Sequence, residues 1–172
     1  MIFVTIGTQL PFDRLIRAVD EWAGAKPGRE VVAQTGRGKY EPRHIRCLET
    51  VEPTEFQRLV RESQFIVAHA GMGTILSALE IGKPVVLLPR LAAHGEHRND
   101  HQLATAERFG VRPLVRVARD ETALAGILDE LERGTTVSEE GSGRISDSAS
   151  PELIAKLREF FASARPRRGG SP

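Results

Sequence analysis

The sequence has one cysteine, one tryptophan and one tyrosine among its 172 residues. With a single thiol, Cys47, the chain cannot form an internal disulfide, which favours a reducing compartment or a fold that needs no crosslink. It also lacks an apolar run close to the roughly 20 residues that a membrane-spanning helix requires. The first residues, MIFVTIGTQ, lack the basic start of a signal peptide. We therefore expect a soluble, cytoplasmic domain.

An excess of charge of one sign is lacking too, since 24 basic and 23 acidic residues nearly cancel. Nucleic-acid-binding domains usually present a strongly basic surface, so the composition argues against nucleic acid as a partner. The hydrophobic content of 40%, spread over a chain of this length, is enough for one substantial core. A single main domain is therefore predicted.

Short β-branched runs alternate along the chain with apolar residues at helical spacing. We predict strands at residues 2–7, 30–36, 44–49, 65–71, 84–89 and 113–117. Among the helices between them, one is capped at its start by Thr54, one is closed by Gly82, one ends at Gly110, and one is capped by Asp120. Such alternation predicts right-handed crossovers and an α/β, doubly wound parallel sheet of the Rossmann-like type.

The composition changes near residue 134, which ends the predicted main domain of residues 1–134. Residues 135–150 are rich in serine, glycine and threonine and are predicted to be a flexible linker. Residues 151–164 form a predicted amphipathic helix, and residues 165–172 a disordered tail. The apolar side of that helix either packs on its own domain or docks onto another chain.

The segment HAGMGT, residues 69–74, stands where the fourth predicted strand gives way to a helix. Glycines at such a junction allow the main chain to approach a ligand closely. The free N–H groups of Gly73, Thr74 and Ile75, together with the helix dipole, would form an anion site suited to a diphosphate. The Thr74 hydroxyl adds a donor. A tight turn that needs Gly71 and Gly73 only for packing explains the glycines equally well.

Two better-known phosphate-binding motifs do not fit this segment. The dinucleotide fingerprint G-x-G-x-x-G would need a third glycine at Leu76, and the acidic residue expected after the next strand is replaced by Pro89 and Arg90. A Walker loop is also absent, because Gly82-Lys83-Pro84 does not provide G-K-[ST]. An NAD-dependent oxidoreductase is therefore disfavoured.

Polar residues continue along the same predicted edge of the sheet. Glu80, in the helix that begins near Thr74, could accept hydrogen bonds from both ribose hydroxyls, or be an ordinary solvated residue. The long loop after the fifth strand contains ligand types that zinc accepts, namely His94, His97, His101 and Asp100. No companion ligand cluster occurs elsewhere, so we favour a polar wall for sugar hydroxyls over a metal site. A solvated loop is the simpler alternative.

These residues resemble a known family. The segments HAGMGTILSALEIGKPVVLLPR and NDHQLATA strongly resemble the C-terminal, donor-binding half of family 28 glycosyltransferases, which have the GT-B fold. The opening IFVTIGTQLPFDRLI is closer to a subgroup in which that half is a separate small protein. This subgroup includes the soluble subunit of the dolichol-linked N-acetylglucosamine transferase and bacterial exopolysaccharide subunits. The resemblance extends from Met1 to about Leu131.

The resemblance implies a set of donor-binding residues. The diphosphate of a UDP-sugar would be held by Gly71, Gly73 and Thr74, with Gly7 and Thr8 of the first loop nearby and His69 supporting the turn. Glu80 would bind the ribose. The transferred sugar would be contacted by a group of residues in the later loop: Asn99, Asp100, His101 and Gln102. That loop is longer and richer in histidine than in the peptidoglycan enzyme of the family, so the donor sugar stays open.

The resemblance also implies an inverting transfer without a metal or other cofactor. It implies a membrane-anchored, acceptor-binding partner subunit that presents a lipid-linked glycan and supplies the catalytic base. His69 and His94 are the candidate bases within this chain. The chain would then be cytoplasmic and reach the inner face of the membrane through its partner. A non-catalytic subunit that binds nucleotide-sugar, or only stabilises its mate, is the alternative function.

Overall fold

The computed structural model describes residues 1–134, 144–145 and 150–163. Six short strands alternate with helices, as the sequence predicts. The strands are β1 (Ile2–Thr5), β2 (Val31–Gln34), β3 (Arg46–Leu48), β4 (Ile66–Ala68), β5 (Val85–Leu87) and β6 (Val115–Val117). The helices are α1 (Asp13–Gly24), α2 (Pro53–Glu62), α3 (Met72–Glu80), α4 (His101–Phe109), α5 (Glu121–Glu132) and α6 (Pro151–Ser163), with a 3₁₀ turn at Ala92–His94.

All strand pairs are parallel, and their order in the sheet is β3-β2-β1-β4-β5-β6. The order reverses between β1 and β4, so the connections that leave these two strands run to opposite faces and open a crevice between them. β1, β4 and β5 are buried along their whole length, which explains why all their residues except Thr5 are apolar. The predicted doubly wound α/β fold is confirmed.

Each face of the sheet has its own core. On one face, α1 and α5 pack against each other and cover the sheet through residues such as Leu15, Trp22 and Leu128. On the other face, α2, α3 and α4 cover the sheet through residues such as Leu59 and Ile75. Burial of each large aliphatic side chain stabilises the fold by about 1.5–3 kcal/mol. The two cores hold the strand ends, and hence the crevice, in place.

One of the predicted helix caps differs from the structure. Thr54 does not cap α2, because Pro53 occupies the first turn and Glu52 is the N-cap, in line with the preference for proline at a helix start. Asp120 caps α5 as predicted, and its carboxylate accepts a hydrogen bond of 2.7 Å from the Ala123 N–H. Gly82 has φ of +71° just after α3, a conformation that favours glycine.

The predicted linker is partly docked on the domain. Ile145 packs against the second core, and its N–H donates to the carbonyl of Leu79 at 3.2 Å. The Arg144 side chain donates to the carbonyl of Glu80, also at 3.2 Å. These contacts satisfy carbonyls at the end of α3 that the helix itself leaves unpaired. The other residues of 135–149, and the predicted tail 165–172, lie outside the described residues.

The final helix α6 exposes apolar residues. Leu153, Ile154 and Leu157 are 50%, 38% and 46% exposed, so a large part of each side chain remains accessible. Both hypotheses for the apolar side of this helix stay open. The side chains of Phe160 and Phe161 lie outside the described residues. Within the part of the chain that the structure describes, no helix is long and apolar enough to cross a membrane.

Replacing Gly126 with alanine is expected to stabilise the fold. Gly126 lies in the interior of α5, and an added Cβ would meet no atom within 4 Å. Alanine costs less conformational entropy in a helix, so the free energy of unfolding should rise by about 0.5–1 kcal/mol in chemical denaturation. Gly110→Ala is the control, because its Cβ would lie 2.9 Å from the Ala106 carbonyl. An equal gain in both variants would contradict the prediction.

Candidate functional site

A cleft of about 520 Å³ lies at the carboxyl edge of the sheet, where the strand order reverses. Open α/β sheets bind ligands at this point. The cleft is bounded by the loop after β1, the junction from β4 to α3, the start of α2 and the long loop after β5. Its lining residues are Thr5–Leu10, Gln34, Val51, Pro53, Phe56, His69, Gly71–Thr74, Ser77, Arg90, His97, His101 and Gln102.

The amino end of α3 presents unpaired main-chain donors to the cleft. The helix begins at Met72, and its N-cap, Gly71, provides no side chain. Within the described residues, no hydrogen-bond partner is found for the N–H groups of Met72, Gly73 and Thr74. The Ile75 N–H is not free, since it donates to the Gly71 carbonyl at 3.2 Å. The free N–H groups that the sequence predicts at residues 73–75 are therefore found one residue earlier, at residues 72–74.

The glycines of the two neighbouring loops have different roles. An added Cβ would lie 2.1 Å from His69 Nε2 at Gly71 and 2.8 Å from His69 Cε1 at Gly7, which also has φ of +76°. Both glycines thus make room for the His69 ring, as the packing hypothesis proposed. At Gly73 a Cβ would meet nothing within 4 Å. Unlike Gly7 and Gly71, Gly73 therefore does not make room for another side chain of the protein. Its missing Cβ leaves open space in the cleft.

His69 is neutral in this environment. Burial, and then the positive charge of Arg90, lower the pKa of the imidazole to about 4. Its Nδ1 is buried and has no hydrogen-bond partner among the described residues. An imidazole with so low a pKa is a weak proton acceptor near neutral pH. The geometry favours the predicted role of His69 in supporting the turn over its role as a base.

Arg90 joins the loops on either side of the cleft. Its guanidinium is 2% exposed and donates to the carbonyls of Ile6, Leu10 and Pro11 in the first loop, at 2.9, 2.6 and 2.6 Å. It also donates to the Glu96 carbonyl of the later loop at 3.3 Å. Burial lowers its pKa to about 10, so it stays charged at neutral pH. A buried positive charge thus lies at the floor of the cleft.

The long loop after β5 is held in one conformation. The Glu96 carboxylate pairs with Arg14 at 2.7 and 2.8 Å and accepts a hydrogen bond from the Leu91 N–H at 2.9 Å. Asp100 Oδ1 accepts from the Ala92 N–H at 2.8 Å. The carboxylates of Glu96 and Asp100 are therefore already engaged in these contacts. No carboxylate is among the described residues that line it, which suits an anionic ligand.

Most of the predicted site residues meet at the cleft. Those that line it are Gly7, Thr8, His69, Gly71, Gly73, Thr74, His101 and Gln102. The Gln102 side-chain oxygen accepts from the N–H groups of Ala70 at 3.2 Å and Arg90 at 3.1 Å, so it ties the ends of β4 and β5 together. Its side-chain nitrogen has no partner among the described residues.

Four predicted residues do not line the cleft: Glu80, His94, Asn99 and Asp100. Glu80 is exposed at the last residue of α3, and His94 is exposed in the 3₁₀ turn. Asn99 Oδ1 is occupied by His101 Nδ1. The position of α3 that faces the cleft one turn after Thr74 is Ser77, three residues before Glu80. Helical spacing from Thr74 could have identified Ser77.

The structure adds residues that are not among the predicted donor-binding residues, although the sequence offers His97 as a zinc ligand or as part of a polar wall for sugar hydroxyls. His97 and Arg90 line the cleft from the later loop, and Gln9 lines it from the first loop. An apolar wall comes from the segment before and within α2, from Val51, Pro53 and Phe56. Local sequence contains no signal for this wall, because it forms only when the third crossover packs beside α3.

The histidines of the later loop do not form a metal site. Within residues 1–134 and the other described segments, no three His, Cys, Asp or Glu side chains lie close enough to share a metal ion. The rings of His97 and His101 are in edge-to-face contact with centroids 4.4 Å apart. The zinc alternative therefore has no ligand set in the described residues.

The sequence and the fold were compared with those of known proteins. The sequence model of the glycosyltransferase family 28 C-terminal domain matches residues 1–155. A solution structure of ALG13 superposes with a TM-score of 0.53 at 18% identity, covering 91% of this chain and 93% of that one. MurG from Acinetobacter baumannii superposes with a TM-score of 0.63 at 16% identity, covering 93% of this chain and 49% of the enzyme.

The fold is shared with enzymes of another class. UDP-GlcNAc 2-epimerase from Neisseria meningitidis, bound to UDP-GlcNAc, superposes with a TM-score of 0.60 at 14% identity, covering 94% of this chain and 44% of the epimerase. The chain thus spans less than half the length of the larger enzymes that it matches. At such identities the superpositions show the fold alone, whereas the family match covers most of the sequence. The chain belongs to the glycosyltransferase family 28 C-terminal domain family.

Proposed function

We propose that this chain is the donor-binding component of an inverting glycosyltransferase that uses a UDP-sugar. In this proposal it acts with a membrane-associated partner that binds the acceptor, a lipid-linked glycan, in the synthesis of an exopolysaccharide or a similar glycoconjugate. The family assignment supports glycosyl transfer. The chemistry of the cleft supports a negatively charged donor with an apolar group at one end.

The observation that carries the proposal is the set of free donors at the start of α3. The N–H groups of Met72, Gly73 and Thr74 open into a cleft that contains the buried charge of Arg90 and, among its described lining residues, no carboxylate. This arrangement suits a diphosphate. Gly73 leaves the space that close approach of phosphate oxygens requires.

The rest of the cleft fits the other parts of such a donor. Phe56, with Val51 and Pro53, offers an apolar wall against which the flat face of a uracil ring can pack. Ser77 and Gln34 also line the cleft and offer polar groups to a ribose. Ribose binding by Glu80 is still a prediction, and it requires the ligand to extend beyond Ser77 along α3.

The proposed reaction is one displacement at the anomeric carbon. The acceptor oxygen forms a bond to that carbon as the bond to the β-phosphate oxygen breaks, and UDP departs with the electron pair. Negative charge develops on the departing diphosphate, and the fixed N–H dipoles at the start of α3 would stabilise it without rearrangement of the site. The positive charge of Arg90 would add a favourable field, although its N–H groups are bound to the carbonyls of the two loops. We expect these groups to make a metal ion or other cofactor unnecessary.

The proposal assigns the catalytic base to the partner. His69 has a pKa of about 4, and His94 is exposed outside the cleft, so neither is well placed to accept the acceptor's proton. A partner subunit that carries the membrane anchor would bring the base and the lipid-linked acceptor over the cleft. The match of ALG13 to this chain over 93% of its length supports the idea that this half can be a separate subunit. The chain would then act at the cytoplasmic side of the membrane.

Titration calorimetry tests donor binding directly. We expect the full chain to bind UDP with a dissociation constant in the micromolar range, and to bind AMP, which lacks the diphosphate, at least about tenfold more weakly. Absence of heat with UDP, or equal affinity for the two nucleotides, would overturn the proposed donor site.

A transfer assay then separates the catalytic function from the alternative of a non-catalytic subunit. The chain is co-expressed with the protein encoded beside it, and transfer from UDP-sugars to a membrane extract is measured. Thr74→Val keeps the shape of the buried Thr74 but removes its hydroxyl, and transfer should fall by about tenfold at equal yield of the complex. Unchanged transfer would favour a subunit that only stabilises its mate.

A further inference from the structure

The final helix, α6, presents an apolar stripe that stays accessible to solvent. Every side chain of this helix that the structure describes is exposed. Leu153, Ile154 and Leu157 share one side of the helix, because residues three and four positions apart are neighbours on its surface, and each is at least 38% exposed. Helical spacing predicts that Phe160 and Phe161 continue the same stripe. A continuous exposed apolar surface of this kind marks a place of contact.

The start of α6 is defined by local sequence. Ser150 stands just before the helix, and its Oγ accepts a hydrogen bond of 3.2 Å from the Leu153 N–H, the usual arrangement of an N-cap. Pro151 occupies the first helical position and Glu152 lies in the first turn, and both are favourable at a helix start. The helix therefore begins at a fixed residue, which also fixes the side of the helix on which each later residue lies.

The charged residues of α6 are ordered around the stripe. With about 100° between successive residues, Lys156 borders the stripe on one side and Arg158 borders it on the other. Glu152 and Glu159 lie together on the opposite side of the helix. A lysine or arginine at such a boundary can keep its charge in water while its aliphatic stem lies along an apolar surface. This order fits helices that lie in the plane of a membrane interface, with leucine and phenylalanine on one face and basic residues beside it.

The sequence that follows adds positive charge. From position 156 to position 172 the chain has five basic residues and one acidic residue. The basic residues are Lys156, Arg158, Arg165, Arg167 and Arg168. The excess is local, since the chain as a whole has a net charge of only +1. A basic cluster beside an apolar stripe complements the anionic lipids of a membrane surface.

We propose that α6 binds directly to the surface of an anionic membrane, with its apolar stripe at the level of the acyl chains and its basic residues among the headgroups. The helix has 13 residues, which gives a length of about 20 Å. The hydrocarbon core of a bilayer is about 30 Å thick, so α6 lies on the membrane and does not cross it. This inference goes beyond the proposed function, in which the partner supplies the membrane anchor. A short amphipathic helix binds reversibly, so it adds to that anchor and does not replace it.

Flotation of the full chain with lipid vesicles tests this contact without any partner protein. The vesicles contain phosphatidylcholine alone, or phosphatidylcholine mixed with anionic phosphatidylglycerol. One double variant, Leu153→Ser with Leu157→Ser, removes part of the stripe, and another, Lys156→Gln with Arg158→Gln, removes the boundary charges. The matched control is Val111→Ser, which changes an apolar residue that is 86% exposed in the turn after α4.

Wild type should float with the anionic vesicles and bind neutral vesicles at least about tenfold more weakly. On anionic vesicles, the leucine variant should lower the partition coefficient at least about tenfold, and the charge-removing variant by about 10–30-fold. Val111→Ser, and a charge-conserving variant that exchanges Lys156 for arginine and Arg158 for lysine, should stay within about twofold of wild type. Added salt should weaken the binding of wild type. Thermal melting checks that each variant is folded.

The inference is overturned if wild type does not float with anionic vesicles, or if the leucine variant floats as well as wild type does. Equal flotation with neutral and anionic vesicles also contradicts it, because the basic residues then have no part in binding. If the chain floats only together with its co-expressed partner, the stripe belongs to that protein. Sedimentation velocity adds one more outcome: a dimer that the leucine variant dissociates, without vesicle binding, assigns the stripe to a second copy of the chain.

UDP titration separates this inference from the proposed function. The leucine variant should bind UDP with the affinity of wild type, since α6 has no residue among those that line the cleft. If wild type floats with anionic vesicles but does not bind UDP, the donor site is overturned and the membrane contact stands. If it binds UDP but does not float, the reverse holds.

Discussion

The Gly73→Asp variant should fold normally and lose its affinity for UDP. Gly73 lies in the first turn of α3, and a side chain there would extend into open space in the cleft. A carboxylate at this point would face the proposed diphosphate. Like charges 4–5 Å apart at an effective dielectric constant near 20 repel by about 3–4 kcal/mol. We expect the dissociation constant for UDP to rise by at least about 100-fold.

The stability of the same variant should not fall. An acidic side chain in the first turn of a helix interacts favourably with the helix dipole, by about 0.3–1 kcal/mol, and Gly73 has a negative φ, so no backbone strain is introduced. The thermal midpoint of Gly73→Asp should therefore equal or exceed that of wild type. A loss of binding without a loss of stability distinguishes a ligand site from a packing position.

The matched control is Gly73→Asn, which has nearly the same shape without the charge. It should weaken UDP binding far less than aspartate does, because only the steric part remains. UDP titrations of the three proteins, at equal salt, give the comparison. If Gly73→Asp binds UDP as wild type does, the amides of α3 do not hold the diphosphate, and the proposed function loses its main support.

The sequence predicts the fold because its signals are local. Runs such as Ile2–Val4 and Val85–Leu87 are continuously apolar, as strands buried on both faces must be, and glycines follow α3, α4 and α5 at or just after their last residue. Parallel strands joined by helices can form few topologies. The doubly wound class follows from these facts, whereas the strand order is established only by the structure.

The site is predicted only in part, because side-chain direction in loops is decided by distant residues. Gly73 and Thr74 could be identified from the junction of strand and helix. Asn99 and Asp100 were expected at the sugar, but the structure places their oxygens on His101 Nδ1 and the Ala92 N–H. Conversely, His97 faces the cleft because Glu96 is held by Arg14, 82 positions away in the chain. No local pattern contains that contact.

His69 should make the stability of the protein depend on pH. Its pKa is about 4 in the folded chain, well below the ordinary value of 6.5 that the unfolded chain has. Between these values the unfolded state binds more protons than the folded state, so protons favour unfolding. The full contribution of the neutral ring to the free energy of unfolding is present above pH 6.5. This contribution is lost as the pH falls from 6.5 to about 4. The loss amounts to up to about 3 kcal/mol.

Chemical denaturation of wild type and His69→Asn at a series of pH values measures this contribution. Asparagine does not titrate, and its smaller side chain fits between Gly7 and Gly71, whose missing Cβ atoms make room for the ring. The difference in the free energy of unfolding between the two proteins should be constant above pH 6.5 and shrink towards pH 4. Groups that titrate in both proteins cancel in this difference. If the curves for wild type and His69→Asn stay parallel from pH 6.5 to 4, the imidazole is not held neutral by burial and by Arg90. The argument against His69 as the catalytic base would then fail as well.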